Sequence, residues 1–388
     1  MPEERHNKIK IENESGTRQE RNIGPKIPRA PLSLFISITS RCNQSCKHCS
    51  VYSDDLVYGP DLTTDEWIRF FEEIARIKVF RVKISGGEPF ARKDIFTLLE
   101  TLDEKPIRLS INTNATLITD EIARRLSRLS AKLDDIMVSF DGARAESHDA
   151  LRGHGAFDAA RAGISRLQKY VGNTTAYTTV TRLNALELKG IASLLRSFGI
   201  ESMKFNELLL EGRGLKYKNE LILSPLERAR AIETLHEMKG EFPAISGTFF
   251  EANEIFSTVK GLFPQGKHEE RDEENYLSGC GALTDQCAIR PDGYATPCDR
   301  LPDLAAGKIL ETPLVEIWQS SPVFTEFRKR YTTPITALIT CRSCEYAPLC
   351  TGGCAAAAYY TYGTTLARDP ASCYRLYREG LARKGREA

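Results

Sequence analysis

Between Leu34 and Leu208 the spacing of apolar positions switches repeatedly between two periods. Leu34–Thr39 is a short apolar run of strand length. Thr63–Lys78 changes to helical spacing, with Trp67, Phe70, Phe71, Ile74 and Ile77 on one stripe. Thr63 and Glu66 fit a capping box at its start. The exchange then repeats. Strands are predicted at Arg81–Ser85, Ile107–Thr113, Asp135–Phe140, Thr175–Thr181 and Glu201–Leu208, and helices at Ile95–Leu102, Asp120–Leu129, Phe157–Tyr170 and Leu186–Phe198. Strands separated by helices of this length predict parallel βαβ units and an α/β class. Six such units can wind as an open sheet or curl into a partial barrel, and the pattern alone does not choose.

The regular exchange sets the domain organisation. Residues 1–30 are polar, with Pro25 and Pro28 near their end, and predict a flexible arm. Residues 31–215 hold the alternating units. Residues 216–277 are less regular: Ser224–Lys239 reads as a helix with Pro225 at its favoured first position. Gln265–Asn275 is a charge run and reads as a solvated loop. From 278 to 375 cysteine, glycine and turn residues take over. A region so rich in loops needs bound ligands to hold itself together. Residues 376–388 form a tail, and no fixed-period repeat is visible.

Composition narrows the partners. The 388 residues carry 53 Lys and Arg against 52 Asp and Glu, a net charge of +1. Bulk charge therefore favours neither nucleic acid nor an anionic membrane. Hydrophobic residues make up 41%, as in a globular protein with a core. No apolar run reaches membrane-spanning length, and the charged N-terminus lacks a signal-peptide core. A cytoplasmic location is expected. Eleven cysteines without an export signal then point to metal binding rather than disulfides.

The candidate chemistry begins at Thr39–Cys49, directly after the first strand. Cys42, Cys46 and Cys49 form Cys-x3-Cys-x2-Cys with no fourth cysteine nearby. A closed site wants four ligands, and a reactive one keeps a position open. Three thiolates on a four-iron cube leave one iron free. A zinc site and three unrelated thiols are the alternatives. Three further stretches follow successive strands: Ser85-Gly86-Gly87-Glu88-Pro89, Asn112-Thr113-Asn114, and Ser139-Phe140-Asp141-Gly142 with Arg152 soon after. In barrels, chemistry sits on the loops at the carboxyl ends of strands.

This set of stretches resembles the radical S-adenosylmethionine (SAM) superfamily. The resemblance implies a partial (β/α)6 barrel, open on one side. It implies a [4Fe–4S] cluster on Cys42, Cys46 and Cys49 whose free iron is chelated by SAM, and reductive cleavage of SAM to a 5′-deoxyadenosyl radical. It places His48 near the adenine and the GGE(P)-like stretch, Ser85 to Pro89, at the SAM amino group, with Glu88 holding the ammonium. Asn112 and Asn114 would meet the ribose or methionine moiety, Ser139 would contact SAM, and Arg152 would pair with its carboxylate. A bidentate guanidinium suits that last task. Asp141 reads equally as turn chemistry.

The remaining cysteines are spaced C-x6-C-x10-C, C-x2-C-x5-C-x3-C and C-x18-C, with Gly293 four residues short of Cys298. They resemble the SPASM extension of radical SAM enzymes. That resemblance implies a first auxiliary [4Fe–4S] cluster on Cys280, Cys287, Cys298 and Cys354, and a second on Cys341, Cys344, Cys350 and Cys373. Some relatives lack the cysteine at the Cys287 position and leave an open iron. Two zinc sites are the alternative. Asp299 follows Cys298, where relatives that oxidise a peptidyl residue place a base; a turn carboxylate is the plain reading.

The expected function is maturation of a ribosomally made precursor peptide, with an external electron donor. The short arm before the first strand predicts a separate leader-peptide-binding protein or direct leader contact with the barrel. Alternatives are a sulfatase-type or tetrapyrrole-modifying enzyme, and a non-catalytic iron–sulfur or zinc scaffold.

Overall fold

The structure is a computed structural model that describes residues 8–12, 18–22, 25–50, 58–129, 132–247, 249, 275–278, 280–370, 373 and 375. The charge run, Asn275 apart, and the tail 376–388 lie outside the described residues.

In the polar arm, β1 (Lys8–Glu12) and β2 (Arg18–Asn22) pair antiparallel as a separate hairpin, which composition did not disclose. The barrel strands follow: β3 (Ser33–Ser37), β4 (Arg81–Ser85), β5 (Arg108–Thr113), β6 (Leu133–Ser139), β7 (Thr174–Val180) and β8 (Ser202–Glu207). They lie side by side in chain order, each pair parallel. The crossovers carry α1 (Thr64–Arg76), α2 (Ile95–Asp103), α3 (Asp120–Leu126), α4 (Ala145–Arg152), α5 (Ala156–Tyr170) and α6 (Leu188–Ser197).

Residue parity decides what each strand offers. Leu34, Ile36, Val82 and Ile84 are buried in one apolar core with Trp67, Phe70 and Phe71 of α1. Their neighbours Phe35, Lys83 and Ser85 point the other way and line a cavity. The Thr63 cap forms as its sequence predicts: its side chain accepts from Glu66 N, and Glu66 Oε2 accepts from Thr63 N at 2.8 Å.

The sheet runs past the six expected strands. After α7 (Gly212–Lys216), α8 (Lys218–Leu221) and α9 (Pro225–Met238), β9 (Ile245–Ser246) adds to β8. At the other edge β10 (Gln286–Ile289) pairs parallel with β3, and β11 (Tyr294–Thr296) and β12 (Gly307–Lys308) continue antiparallel. The order is β12-β11-β10-β3-β4-β5-β6-β7-β8-β9. The composition change at 278 is thus not a break in the sheet. β10 supplies ladder partners to β3, whose backbone groups would otherwise stand unpaired.

The chain then packs α10 (Leu314–Ser320), α11 (Pro322–Arg328) and α12 (Ala355–Tyr362). Glu73 of α1 accepts from Leu314 N at 2.7 Å, and buried Trp318 donates to Pro28 O at 2.8 Å. The first contact ties the cysteine-rich region to the barrel, and the second ties the arm to the cysteine-rich region.

Candidate active site

A cavity of about 250 Å³ opens where the carboxyl ends of β3 to β8 converge. Among the expected residues, Cys42, Cys46, Cys49, His48, Ser85, Gly86, Gly87, Asn112, Asn114, Ser139, Arg152 and Asp299 line it. Four strand-end stretches and, from the C-terminal region, Asp299 and Arg300 therefore face a single space.

The loop carrying the three thiols is held from several sides. Thr39 donates to Asp61 at 2.5 Å, and Asp61 also accepts from Ser40 N at 2.9 Å. Gly87 N and Glu88 N donate to Thr39 O and Arg41 O at 2.9 and 2.8 Å. Gly86 has φ +126°, and a Cβ there would fall 2.5 Å from Thr39 O. The diglycine lets the second strand-end loop lie directly against the first. Asn114 donates to Asn43 at 2.9 Å and accepts from Thr116 N at 2.9 Å, so its amide clamps the cysteine loop to the end of β5.

Glu88 and Pro89 do not line the cavity. Glu88 is fully buried behind the glycines. Its carboxyl accepts from Thr113 Oγ1 at 2.8 Å, Phe90 N at 3.2 Å and Asn114 N at 2.7 Å. Burial pushes its pKa up to about 7 against those hydrogen bonds. In this geometry Glu88 fixes the loop after β4 to the end of β5. Pro89 opens the 3₁₀ turn that Glu88 caps.

Arg152, at the end of α4, is the charged hub. It is buried, and its Nε donates to Asp141 Oδ2 at 2.5 Å. Nη1 lies 3.8 Å from Cys46 Sγ, and Nη2 lies 3.4 Å from His48 Nε2. His48 Nε2 is also 3.3 Å from Asp141 Oδ2. Asp141 Oδ1 accepts from Thr179 N at 2.8 Å. Burial works against the Asp141 anion, but Arg152 and the nearby imidazoles outweigh it and hold its pKa below the usual range. Burial lowers the His48 pKa to about 4, so the imidazole is neutral at pH 7. Burial lifts the Cys46 thiol to about 11, with Arg152 opposing. His148 is fully buried against Phe140, and its Nδ1 accepts from Asp141 N at 3.2 Å.

The other cysteines form two further neighbourhoods. Burial pushes Cys298 up strongly, and Cys354 and Cys280 are close enough to add to the shift. Arg300 Nη1 lies 3.8 Å from Cys354 Sγ. Cys350 is raised by burial, with Cys341, Cys373 and Cys344 beside it. Cys287 has a different charged neighbour from Cys280, Cys298 and Cys354. It sits on β10, fully buried in the apolar core, with Arg328 as its charged neighbour. Strand parity explains this placement: Cys287 pairs with inward-packed Leu34 of β3. Among the described residues no three His, Cys, Asp or Glu side chains gather tightly enough to grip a single ion. Crowded, buried thiols beside arginines still make a donor set that pays to ionise only with a cationic partner, and an iron–sulfur cluster is one.

Sequence reading passed over several cavity residues: Lys83, Tyr177, Asn206, Glu207 and Arg300. Lys83 was findable, because it shares strand parity with Ser85 and breaks an apolar run. Arg300 was not, because its route to the cavity runs through β10 and the turn after β11.

The comparisons agree with this geometry. A Radical SAM superfamily model matches residues 36–195, and SPASM, an iron–sulfur cluster-binding domain, matches residues 280–345. The AdoMet-dependent heme synthase of Methanosarcina barkeri is 32% identical over 357 residues, covering 90% of this chain and 98% of that one. Mycofactocin maturase MftC of Mycolicibacterium smegmatis is 31% identical over 337 residues, covering 86% and 80%. Among solved structures, native anSMEcpe with bound AdoMet superimposes with a TM-score of 0.68 at 21% identity, covering 91% of this chain and 98% of that one. Streptococcus suis SuiB bound to precursor peptide SuiA also reaches 0.68, at 18% identity, covering 90% and 77%. These two structures show the shared fold. With cysteine triplet, diglycine and buried arginine around one cavity, and relatives matched over nearly their whole length, the chain belongs to the radical SAM superfamily as an iron–sulfur, SAM-dependent enzyme with a SPASM domain.

Proposed function

We propose that this enzyme modifies a ribosomally made precursor peptide. The observation that carries the reading is the single cavity shared by Cys42, Cys46, Cys49, Arg152 and, from the SPASM region, Asp299. When bound, a [4Fe–4S] cluster and SAM supply a 5′-deoxyadenosyl radical that abstracts hydrogen. The chain's own residues do the rest. Cys42, Cys46 and Cys49 hold the cluster. Ser85, Gly86, Gly87, Asn112 and Ser139 bind SAM through the cavity wall. Glu88 and Asn114 keep that wall in register. Arg152 stands between Asp141 and the thiols, placed to attract the SAM carboxylate. His48, neutral at pH 7, offers an uncharged surface to the adenine. Asp299 takes a substrate proton.

Cys280, Cys298 and Cys354 hold one auxiliary cluster with a position left open, and Cys341, Cys344, Cys350 and Cys373 hold a second, giving three clusters in all. An external donor supplies electrons, and a separate small protein presents the leader peptide. The test is anaerobic reconstitution followed by three measurements: iron content, 5′-deoxyadenosine release, and the mass, after coexpression, of any small peptide encoded beside the gene. About a dozen irons per chain and a changed peptide mass are expected. A colourless protein that leaves SAM intact would sink the reading.

A second reading, a tetrapyrrole side chain as substrate, is favoured by one observation: the Methanosarcina barkeri heme synthase is covered over 98% of its length. Iron coproporphyrin III offered in the same assay separates the two.

A further inference from the structure

Lys83 is an unusual lysine. It sits in the middle of β4, between buried Val82 and Ile84, and points into the cavity. Its Nζ stands 4.8 Å from the centre of the Phe35 ring. It makes no ion pair and donates no hydrogen bond among the described residues. The charges of Asp299 and Asp135 favour its ammonium, and those of Lys204 and Arg81 oppose it. A half-buried ammonium facing only an aromatic ring and distant carboxylates is under-compensated. Of the other cavity cations, Arg152 is already matched by Asp141, and Arg300 stands beside the Cys354 thiol.

We infer that Lys83 is a specificity-determining residue that takes a carboxylate of the substrate on the cavity floor. The inference rests on the proposed radical reading and names the substrate class for that site: a molecule bearing a free carboxylate, either of a peptide or of a tetrapyrrole propionate. Lys83 and Ser85 are two residues apart on one strand face, so a carboxylate at Lys83 holds the attached carbons below the SAM-binding wall. Asn112, whose buried Oδ1 has no hydrogen-bond partner, faces the same space and can orient a neighbouring polar group.

The test is equilibrium binding to the reconstituted holoenzyme with SAM and no reductant, so that no turnover enters. The probes are a short synthetic peptide with one glutamate, as free acid and as side-chain methyl ester, and iron coproporphyrin III against its tetramethyl ester. Wild type is expected to prefer the free acid of one pair by about ten- to a hundredfold, the strength of a charge-assisted contact. Lys83→Met should abolish that preference and Lys83→Arg should restore most of it. The pair that shows the preference identifies the source of the carboxylate. No preference in wild type for either acid, or an undiminished preference in Lys83→Met, overturns the inference. Absence of 5′-deoxyadenosine on adding reductant would instead defeat the radical reading, whatever the binding result.

Discussion

Arg152 and Asp141 form a buried ion pair beside the cavity. Both are buried, and Asp141 draws its compensation from Arg152 first, then from the His48 and His148 imidazoles and Thr179 N. Removing one partner of a buried pair strands the other charge. Arg152→Ala should therefore cost about 3–5 kcal/mol of stability, read from denaturant midpoints, besides any effect on SAM. A loss below about 1 kcal/mol would show that water compensates Asp141. His148 has the opposite character, because it folds as a neutral base. Burial lowers its pKa from 6.5 to about 4. Below pH 6.5 the unfolded chain takes up a proton that the folded one refuses, so this contribution is lost as pH falls from 6.5 towards 4. His148→Asn keeps an acceptor for Asp141 N and removes the titration. Its stability should fall less steeply than wild type in that window, measured by thermal melts across pH. Parallel slopes would rule this out.

At the scale of elements, α5 sets how closely the end of β5 can be approached. A Cβ on Gly163 would fall 1.9 Å from Ala115 O, on the loop that begins with Asn114. Gly163→Ala must push helix and loop apart, an overpacking cost of about 1–3 kcal/mol. The displacement reaches Asn114 first, and so the clamp on Asn43 and the amide that Glu88 accepts from. Weaker SAM binding without any altered cavity side chain is the expected result, and calorimetric titration checks it. Unchanged SAM affinity would mean that the loop relaxes independently of the helix.

For the whole molecule, the cysteine-rich region has two kinds of support. β10 to β12 share the main sheet and core. Around Cys341, Cys344 and Cys350 the apolar cluster is small, built on Leu277, Ile335 and Ala347. There Arg330 carries much of the backbone, donating to the carbonyls of Gly352, Gly353, Thr365 and Ala367. A core so small needs ligand bonds. Iron chelation should make residues 335–370 the first site of limited proteolysis, while the barrel stays intact by circular dichroism. Equal protection of both parts would show that the clusters do not hold this region. Among the described residues no helix is long and apolar enough to cross a membrane.

Much of this was legible in one dimension. The alternation of periods 2 and 3.6 fixes strands and helices because burial on one face is decided locally. Cysteine spacing and the Gly-Gly-Glu-Pro turn mark the site because the ligands of one loop are close in sequence. Helix α4 was missed because His148 and Arg152 look polar, although both are buried by partners distant in the chain. The pairing of β10 with β3 joins residues about 250 positions apart, and no local period encodes it. It also brings Asp299 and Arg300 to the cavity. The order of residues determined which groups are available; three-dimensional packing decided which face one another, because opposition across a sheet depends on register and closure rather than on neighbourhood along the chain.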